Sequence, residues 1–100
     1  MLLPISTRTG LVRLGESLRK ARLRRRLKMT TVADRAGISR ETLAKIQRGD
    51  PGVGMGHYAA VIFALGLGND WMTFADISRD PVGLALDEER LPRRARDSKL

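Results

Sequence analysis

A run of side chains between positions 39 and 45 carries the most varied hydrogen-bonding chemistry in the sequence. Arginine and lysine donate to the O6 and N7 acceptors of guanine, glutamate accepts from the cytosine amino group, and alanine can contact the thymine methyl. The residues concerned are Ser39, Arg40, Glu41, Ala44 and Lys45. On a helix, positions three and four apart share a face, so the spacing predicts that these side chains act together on base-pair edges.

A second set of residues has the chemistry to hold phosphates. Phosphate contacts position a protein on DNA without reading its sequence, and lysine, arginine and threonine commonly make them. The candidates are Lys28, Thr30, Thr42 and Arg48. Lys28 and Thr30 stand where a helix is predicted to begin, and the free amides of a helix N-terminus also favour a phosphate.

The element that must position both sets is a helix-turn-helix over residues 29–48, in which two helices cross at about 90–120°. Ala33 is small where the second helix crosses, and Gly37 permits a turn with positive φ. Val32 is predicted to face the core, and the space between the two helices and the rest of the domain is predicted to be filled by Ile38, Leu43 and Ile46. The alternative is a structural helix pair that binds no DNA, in which Arg40 and Glu41 form a solvated surface pair.

Apolar periodicity predicts further helices and therefore an all-α fold. Leucines at 11, 14 and 18 recur at helical spacing, which predicts a first helix over about 9–27 with Thr9 as its N-cap. The motif supplies helices at 29–36 and 40–48, the latter capped by Ser39. A fourth helix is predicted over about 55–65, and a short fifth follows Asn69. Trp71 and Phe74 in that fifth helix are expected to be core, within one chain or shared across a dimer.

The predicted domain organisation is an N-terminal arm at 1–8, a helix-turn-helix domain at 9–78 and a C-terminal tail at 79–100. After Pro81 the apolar pattern weakens, so we expect the tail to order only against a partner. One helical turn at 84–90 and a short strand within 77–86 are the two local alternatives.

The charges of the chain are segregated along its length. The formal net charge is +8, but residues 8–48 hold 13 Lys/Arg against 3 Asp/Glu, whereas residues 49–89 hold 1 against 7. Residues 90–100 are basic again, with 5 against 1. A basic front half suits a polyanion such as DNA, the alternative being a solvated surface. The acidic middle and basic tail suggest a protein partner.

Several classes of site are excluded by composition. With no cysteine and one histidine, His57, the sequence offers no disulfide framework, thiol nucleophile or metal site. Glycines at 52, 54 and 56 lack the Lys-Ser/Thr of a phosphate loop, and the acidic run at 87–89 reads as a solvated patch. We therefore expect no enzyme activity and no cofactor. No apolar run reaches the roughly 18 residues of a membrane span, so a cytoplasmic protein is expected.

The sequence resembles the lambda-repressor-like, five-helix family of bacterial regulators (the Cro-type or XRE family) over residues 11–76. R-A-G-I-S-R-E-T-L-A-K-I-Q-R-G-D-P-G-V at 35–53, with D-P-V-G-L-A-L-D-E-E-R-L-P-R-R-A-R at 80–96, is more narrowly similar to HipB-type antitoxins. That resemblance implies a nucleoid-associated homodimer on an inverted-repeat operator, partnered by a HipA-type kinase toxin and repressing their operon. A stand-alone XRE-type or phage-type repressor is the alternative. Three positions depart from the family: Lys28 replaces a small hydroxyl residue, Met29 a frequent glutamine, and Gly54 the serine that usually opens the fourth helix.

Overall fold

The computed structural model describes residues 2–94, with side chains to residue 90, and every regular element among them is helical. The α-helices are α1 Ile5–Arg24, α2 Met29–Ala36, α3 Arg40–Gln47, α4 Met55–Ala64 and α5 Pro81–Arg94. Two 3-10 turns, Asp70–Thr73 and Ile77–Arg79, lie between α4 and α5 in the chain. The all-α prediction is thus confirmed for this part of the chain. Two compact units meet in sequence between Asn69 and Asp70.

Helix α1 begins four residues earlier than its predicted start at residue 9. Pro4 occupies the N-cap with an extended backbone, and its carbonyl accepts from the amides of Thr7 and Arg8. The Thr9 cap was therefore wrong, and helix replaces half of the predicted arm 1–8. At the other end Arg26 takes a left-handed φ of 54°, which lets the Leu27 amide bond back to the Arg22 carbonyl and ends the helix before residue 27.

The core of the first unit is made by α1 to α4. Helix α4 packs on α2, α1 packs on α3, and α2 and α3 contact each other. The buried apolar side chains are Leu18, Ala21, Val32, Ala33, Leu43, Ile46, Tyr58, Val61, Ile62 and Leu65. They include Val32, Leu43 and Ile46 as predicted, while Ile38 is half-buried and Leu14 is 37% exposed.

Helix α1 approaches the end of α3 backbone to backbone, through two glycines. A Cβ added to Gly15 would lie 2.5 Å from the Ile46 carbonyl oxygen and 2.6 Å from the Gly49 nitrogen. A Cβ added to Gly49, which has a φ of +74°, would lie 2.6 Å from the Val12 Cα. Both positions therefore need glycine for space, and Gly49 also needs it for its left-handed backbone. This contact fixes the C-terminal end of α3 against α1.

The second unit differs most from the sequence predictions. The predicted fifth helix is the 3-10 turn Asp70–Thr73, in which Trp71 is half-buried and Phe74, just beyond it, is 60% exposed. Phe74 is therefore not core within this chain. Within the predicted tail 79–100, residues 81–94 form α5 and 95–100 lie outside the described residues, so neither a single turn at 84–90 nor a strand within 77–86 is correct.

Local hydrogen bonding explains where α5 begins. The Asp80 carboxylate accepts from the Gly83 amide at 3.0 Å, and its carbonyl accepts from the Leu84 amide at 2.8 Å. Pro81 follows at the first helical position, where a missing amide hydrogen is no loss. Asp80 and Pro81 thus start a helix where the weakening apolar pattern had suggested an irregular tail.

Candidate nucleic-acid interface

The turn between α2 and α3 is held by backbone geometry that the sequence predicted. Gly37 is left-handed, with φ 71° and ψ 32°, and the next amide, of Ile38, bonds back to the Ala33 carbonyl at 3.0 Å. Ser39 is extended, and its Oγ accepts from the Thr42 amide at 3.0 Å. The Ser39 cap is therefore confirmed. Helix α3 starts in a fixed direction immediately after α2 ends.

Helix α3 has one buried and one exposed face. Leu43 and Ile46 are fully buried, which turns the opposite face outward. The five residues predicted to read bases all belong to this outer face or its start: Ser39, Arg40, Glu41 and Lys45 are exposed and Ala44 is half-buried. The structure brings this predicted set together on one surface.

The cations on this surface have no acidic partner within the described residues. The single ion pair found among them joins Arg19 and Glu16 at 3.5 Å, both on α1. Arg40 and Glu41 form no ion pair with each other, and both are exposed, so the solvated surface pair stays the alternative to base reading. Charges at Arg40, Lys45 and Arg48 remain available to a ligand.

The four predicted phosphate contacts lie at three places around that face. Lys28 is the exposed N-cap of α2, with extended backbone and no side-chain cap, and Thr30 is exposed in the first turn. Arg48 is exposed at the C-cap of α3. Thr42 is half-buried, and its Oγ1 accepts from Ser39 Oγ at 3.0 Å. Thr42 therefore serves the cap of α3 first, whereas the other three side chains are open.

Arg22 is a positioning residue that sequence reasoning missed. Its Nε donates to Gln47 Oε1 at 2.8 Å, and its Nη1 donates to the Leu27 carbonyl at 2.9 Å. The Gln47 amide nitrogen in turn lies 3.8 Å from the Met29 sulfur. These contacts connect the end of α1, the start of α2 and the end of α3. The available signal was a charged residue four positions after Leu18, within the apolar stripe of α1.

The loop that leads to α4 is a turn held by hydrogen bonds, and it lacks the features of a nucleotide site. Asp50 Oδ1 accepts from the Gly52 amide at 2.7 Å, and the Tyr58 hydroxyl donates to the Asp50 carbonyl at 2.8 Å. Burial raises the pKa of Tyr58, and the Asp50 carboxylate raises it further. His57 is exposed beside this turn.

Nothing in the described part of the chain points to an enzyme. Across these residues there is no group of three His, Cys, Asp or Glu side chains that could hold a metal ion. None of the described helices combines the length and apolarity needed to cross a membrane.

Comparison with family models, with curated proteins and with solved structures gave no match in any of the three.

Proposed function

We propose that this protein binds double-stranded DNA sequence-specifically through α2 and α3, as a lambda-repressor-like helix-turn-helix. The observation that carries the proposal is the two-sided character of α3. Leu43 and Ile46 lock one face into the core, while Arg40 and Lys45 project from the other beside the small Ala44. A helix presented in this way fits the major groove, where its first residues contact base edges.

The surrounding charge supports a polyanionic ligand. Residues 8–48, which include α1 to α3, hold 13 Lys/Arg against 3 Asp/Glu. Basic side chains that neutralise phosphates release counterions, so affinity should fall steeply with salt. Lys28, Thr30 and Arg48 lie at the ends of α2 and α3, where phosphate contacts would orient the reading face without specifying sequence.

The decisive experiment separates base reading from charge. The full chain is used to select a binding site from random duplex DNA, and the double variant Arg40→Ala/Lys45→Ala is compared with Arg13→Ala/Lys20→Ala. Both variants lose two positive charges from exposed positions. Each bidentate base contact is worth about 1–3 kcal/mol, so we expect Arg40→Ala/Lys45→Ala to lose about 30-fold or more in affinity for the selected site.

The control variant on α1 should lose only the non-specific, salt-dependent component on every sequence. Band shifts at fixed salt measure both effects, with circular dichroism confirming the fold. Equal losses in the two double variants, or an unchanged preference for the selected site in Arg40→Ala/Lys45→Ala, would refute the base-reading assignment.

The second unit favours a protein partner in addition to DNA, and we place the chain among HipB-type antitoxins. Helix α5 exposes Val82, Leu84 and Leu86 together with the acidic run at 87–89. Exposed apolar side chains beside acidic ones suit a protein surface with basic groups around an apolar patch. The proposed cellular role is repression of a toxin–antitoxin operon from an inverted-repeat operator by a homodimer, together with a HipA-type kinase.

A pull-down from cells of origin tests the kinase partner. The full chain should capture a HipA-type kinase encoded beside it, and Leu84→Asp/Leu86→Asp should abolish capture while leaving DNA binding intact. Undiminished capture by that variant would refute the role of α5. A neighbouring gene of another kind, with no kinase captured, would favour the stand-alone repressor, which has the same DNA-binding unit and no use for α5.

A further inference from the structure

Helix α4 has an outer face without charge. Residues 51–69 contain no Asp, Glu, Lys or Arg, the longest such stretch in a chain in which 30% of residues are charged. The inner face of α4 is buried through Tyr58, Val61 and Ile62. On the outside, Phe63 is 67% exposed and Met55 is 66% exposed. Within the first unit, this apolar helix face stays exposed.

The outer face of α4 also combines one large side chain with several small ones. Gly56, Ala59 and Ala60 precede Phe63 by seven, four and three residues, so they share its face. A Cβ added to Gly56 would meet nothing within 4 Å. Packing inside the chain therefore does not require glycine there, although glycine weakens a helix. The exposed Phe63 ring therefore stands beside a stretch of small residues, Gly56, Ala59 and Ala60, which we call the groove.

We propose that this face binds a second copy of the chain, with two α4 helices antiparallel across a two-fold axis. In that arrangement Phe63 of each copy enters the groove of Gly56, Ala59 and Ala60 of the other. A two-fold interface must be self-complementary, and a face that carries both ring and groove meets that requirement. The inference rests on the proposed function in one respect, which is the role of the interface in joining two DNA-binding units on an inverted repeat.

Charge favours a second copy over other occupants. The chain carries a net charge of +8, so contact between two copies through its basic helices would bring like charges together. The outer face of α4 avoids that cost, because it holds no Asp, Glu, Lys or Arg side chain. An acidic partner would be drawn to the basic helices rather than to this face.

The location leaves the proposed DNA-binding surface free. Helix α3 packs on α1 and α2, and α4 packs on α2. None of the side chains on the outer face of α4 belongs to the base-reading or phosphate sets. Docking through α4 would therefore cover none of the residues proposed to contact DNA.

The small area of the outer face of α4 limits the expected affinity of the dimer. One helix face offers less than the roughly 800 Å² per partner of a standard stable interface. We therefore expect a weak dimer in dilute solution. On an inverted repeat, two adjacent half-sites raise the effective concentration of one copy near the other, so binding should be cooperative there.

The experiment compares Phe63→Glu with Phe74→Glu in the full chain. Both phenylalanines are mostly exposed, and Phe74 lies in the second unit, where a shared dimer core was the expectation from sequence. Sedimentation over a concentration series measures self-association, and band shifts compare an inverted repeat with a single half-site. Phe63→Glu should weaken self-association by at least about tenfold and abolish cooperativity, with half-site affinity unchanged. Phe74→Glu should match the wild type.

Three results would overturn the proposal. They are self-association of Phe63→Glu at the wild-type level, loss of association in Phe74→Glu alone, and a wild type that stays monomeric even on the inverted repeat. Circular dichroism checks the fold, and Gly56→Leu provides a second variant that fills the groove from outside. A wild type that sediments as a dimer but binds no half-site would instead refute the DNA-binding function and leave the interface standing.

Discussion

The two units of the chain are both helical, but they are held in different ways. Among the side chains that the structure describes, the buried apolar ones all lie between Leu18 and Leu65, in the first unit, and none at 70–90 is buried. The first unit depends on tertiary packing of four helices. Helix α5 depends on a local cap from Asp80 and on the turn Ile77–Arg79 that it contacts. Helical structure alone therefore does not tell which of the two units resists unfolding.

The largest test of this contrast removes one aliphatic side chain from each unit. Ile46 is fully buried, so Ile46→Ala should lower the free energy of unfolding by about 2–5 kcal/mol through lost burial and a cavity. Leu86 is about half exposed, and Leu86→Ala should change it by less than about 0.5 kcal/mol. Urea unfolding followed by circular dichroism measures both values. Similar losses in the two variants would mean that α5 shares the core.

A second test sharpens the account of the first unit, using two glycines of the same helix. In Gly15→Ala the new Cβ would meet backbone atoms of Ile46 and Gly49, which cannot move as a side-chain end can. Overpacking of this kind costs about 1–3 kcal/mol. Gly10→Ala meets nothing within 4 Å and should instead stabilise by about 0.5–1 kcal/mol, through its better helix propensity.

Thermal unfolding of Gly10→Ala and Gly15→Ala gives the sign of each change directly. A neutral Gly15→Ala would show that α1 and α3 are not in backbone contact. Loss of DNA affinity in Gly15→Ala, at a temperature where the variant is folded, would further link this contact to the placement of α3.

Much of the first unit could be predicted because the apolar pattern of the side chains and the residues that cap or end the helices agree there. Val32, Leu43 and Ile46 were expected inside from spacing alone, and all three are fully buried. Gly37 and Ser39 have the residue types that their backbone conformations require, so the turn could be placed to the residue. The exposed face of α3 then follows by exclusion, which is why its residues could be grouped from sequence, while their role in reading bases stays a prediction.

The remaining features depend on contacts that a periodic pattern cannot express. Gly15 has no side chain that could contribute to an apolar stripe. Glycine is needed there because the backbone at Gly49, 34 positions further along the chain, lies too close for a Cβ. The bond from Arg22 to Gln47 likewise joins α1 to α3. For α5 the signal was present, since aspartate followed by proline is a frequent helix start, but the sparse apolar residues after it suggested an irregular tail.

The smallest expected effects come from one ionisable group in each unit. Burial and then the Asp50 carboxylate raise the pKa of Tyr58 above its ordinary 10.0, so its stabilising contribution is complete below that pH and is lost as the pH rises above it. Asp76 behaves in the opposite sense, because the Ser78 hydroxyl and then the Ser78 amide lower its pKa below 3.8. Its contribution is complete above that pH and is lost on further acidification. Alkali should therefore weaken the first unit, and acid the turn that precedes α5.

Tyr58 is the only tyrosine in the chain, so ultraviolet absorbance of the phenolate reports its titration without interference. We expect a midpoint above 10.0 in the folded protein and an ordinary value in urea. Tyr58→Phe should abolish this part of the alkaline loss, and Ser78→Ala should return the pKa of Asp76 towards its ordinary value without altering the alkaline limb. Because Asp76 is fully exposed and Tyr58 is buried at the loop that leads to α4, only the tyrosine should shift the urea midpoint of the whole first unit. If the loss of stability at alkaline pH is unchanged in Tyr58→Phe, the hydrogen bond from the Tyr58 hydroxyl to the Asp50 carbonyl contributes nothing to the packing of α4. The contrast between a packed unit and a locally capped unit would then lose this support.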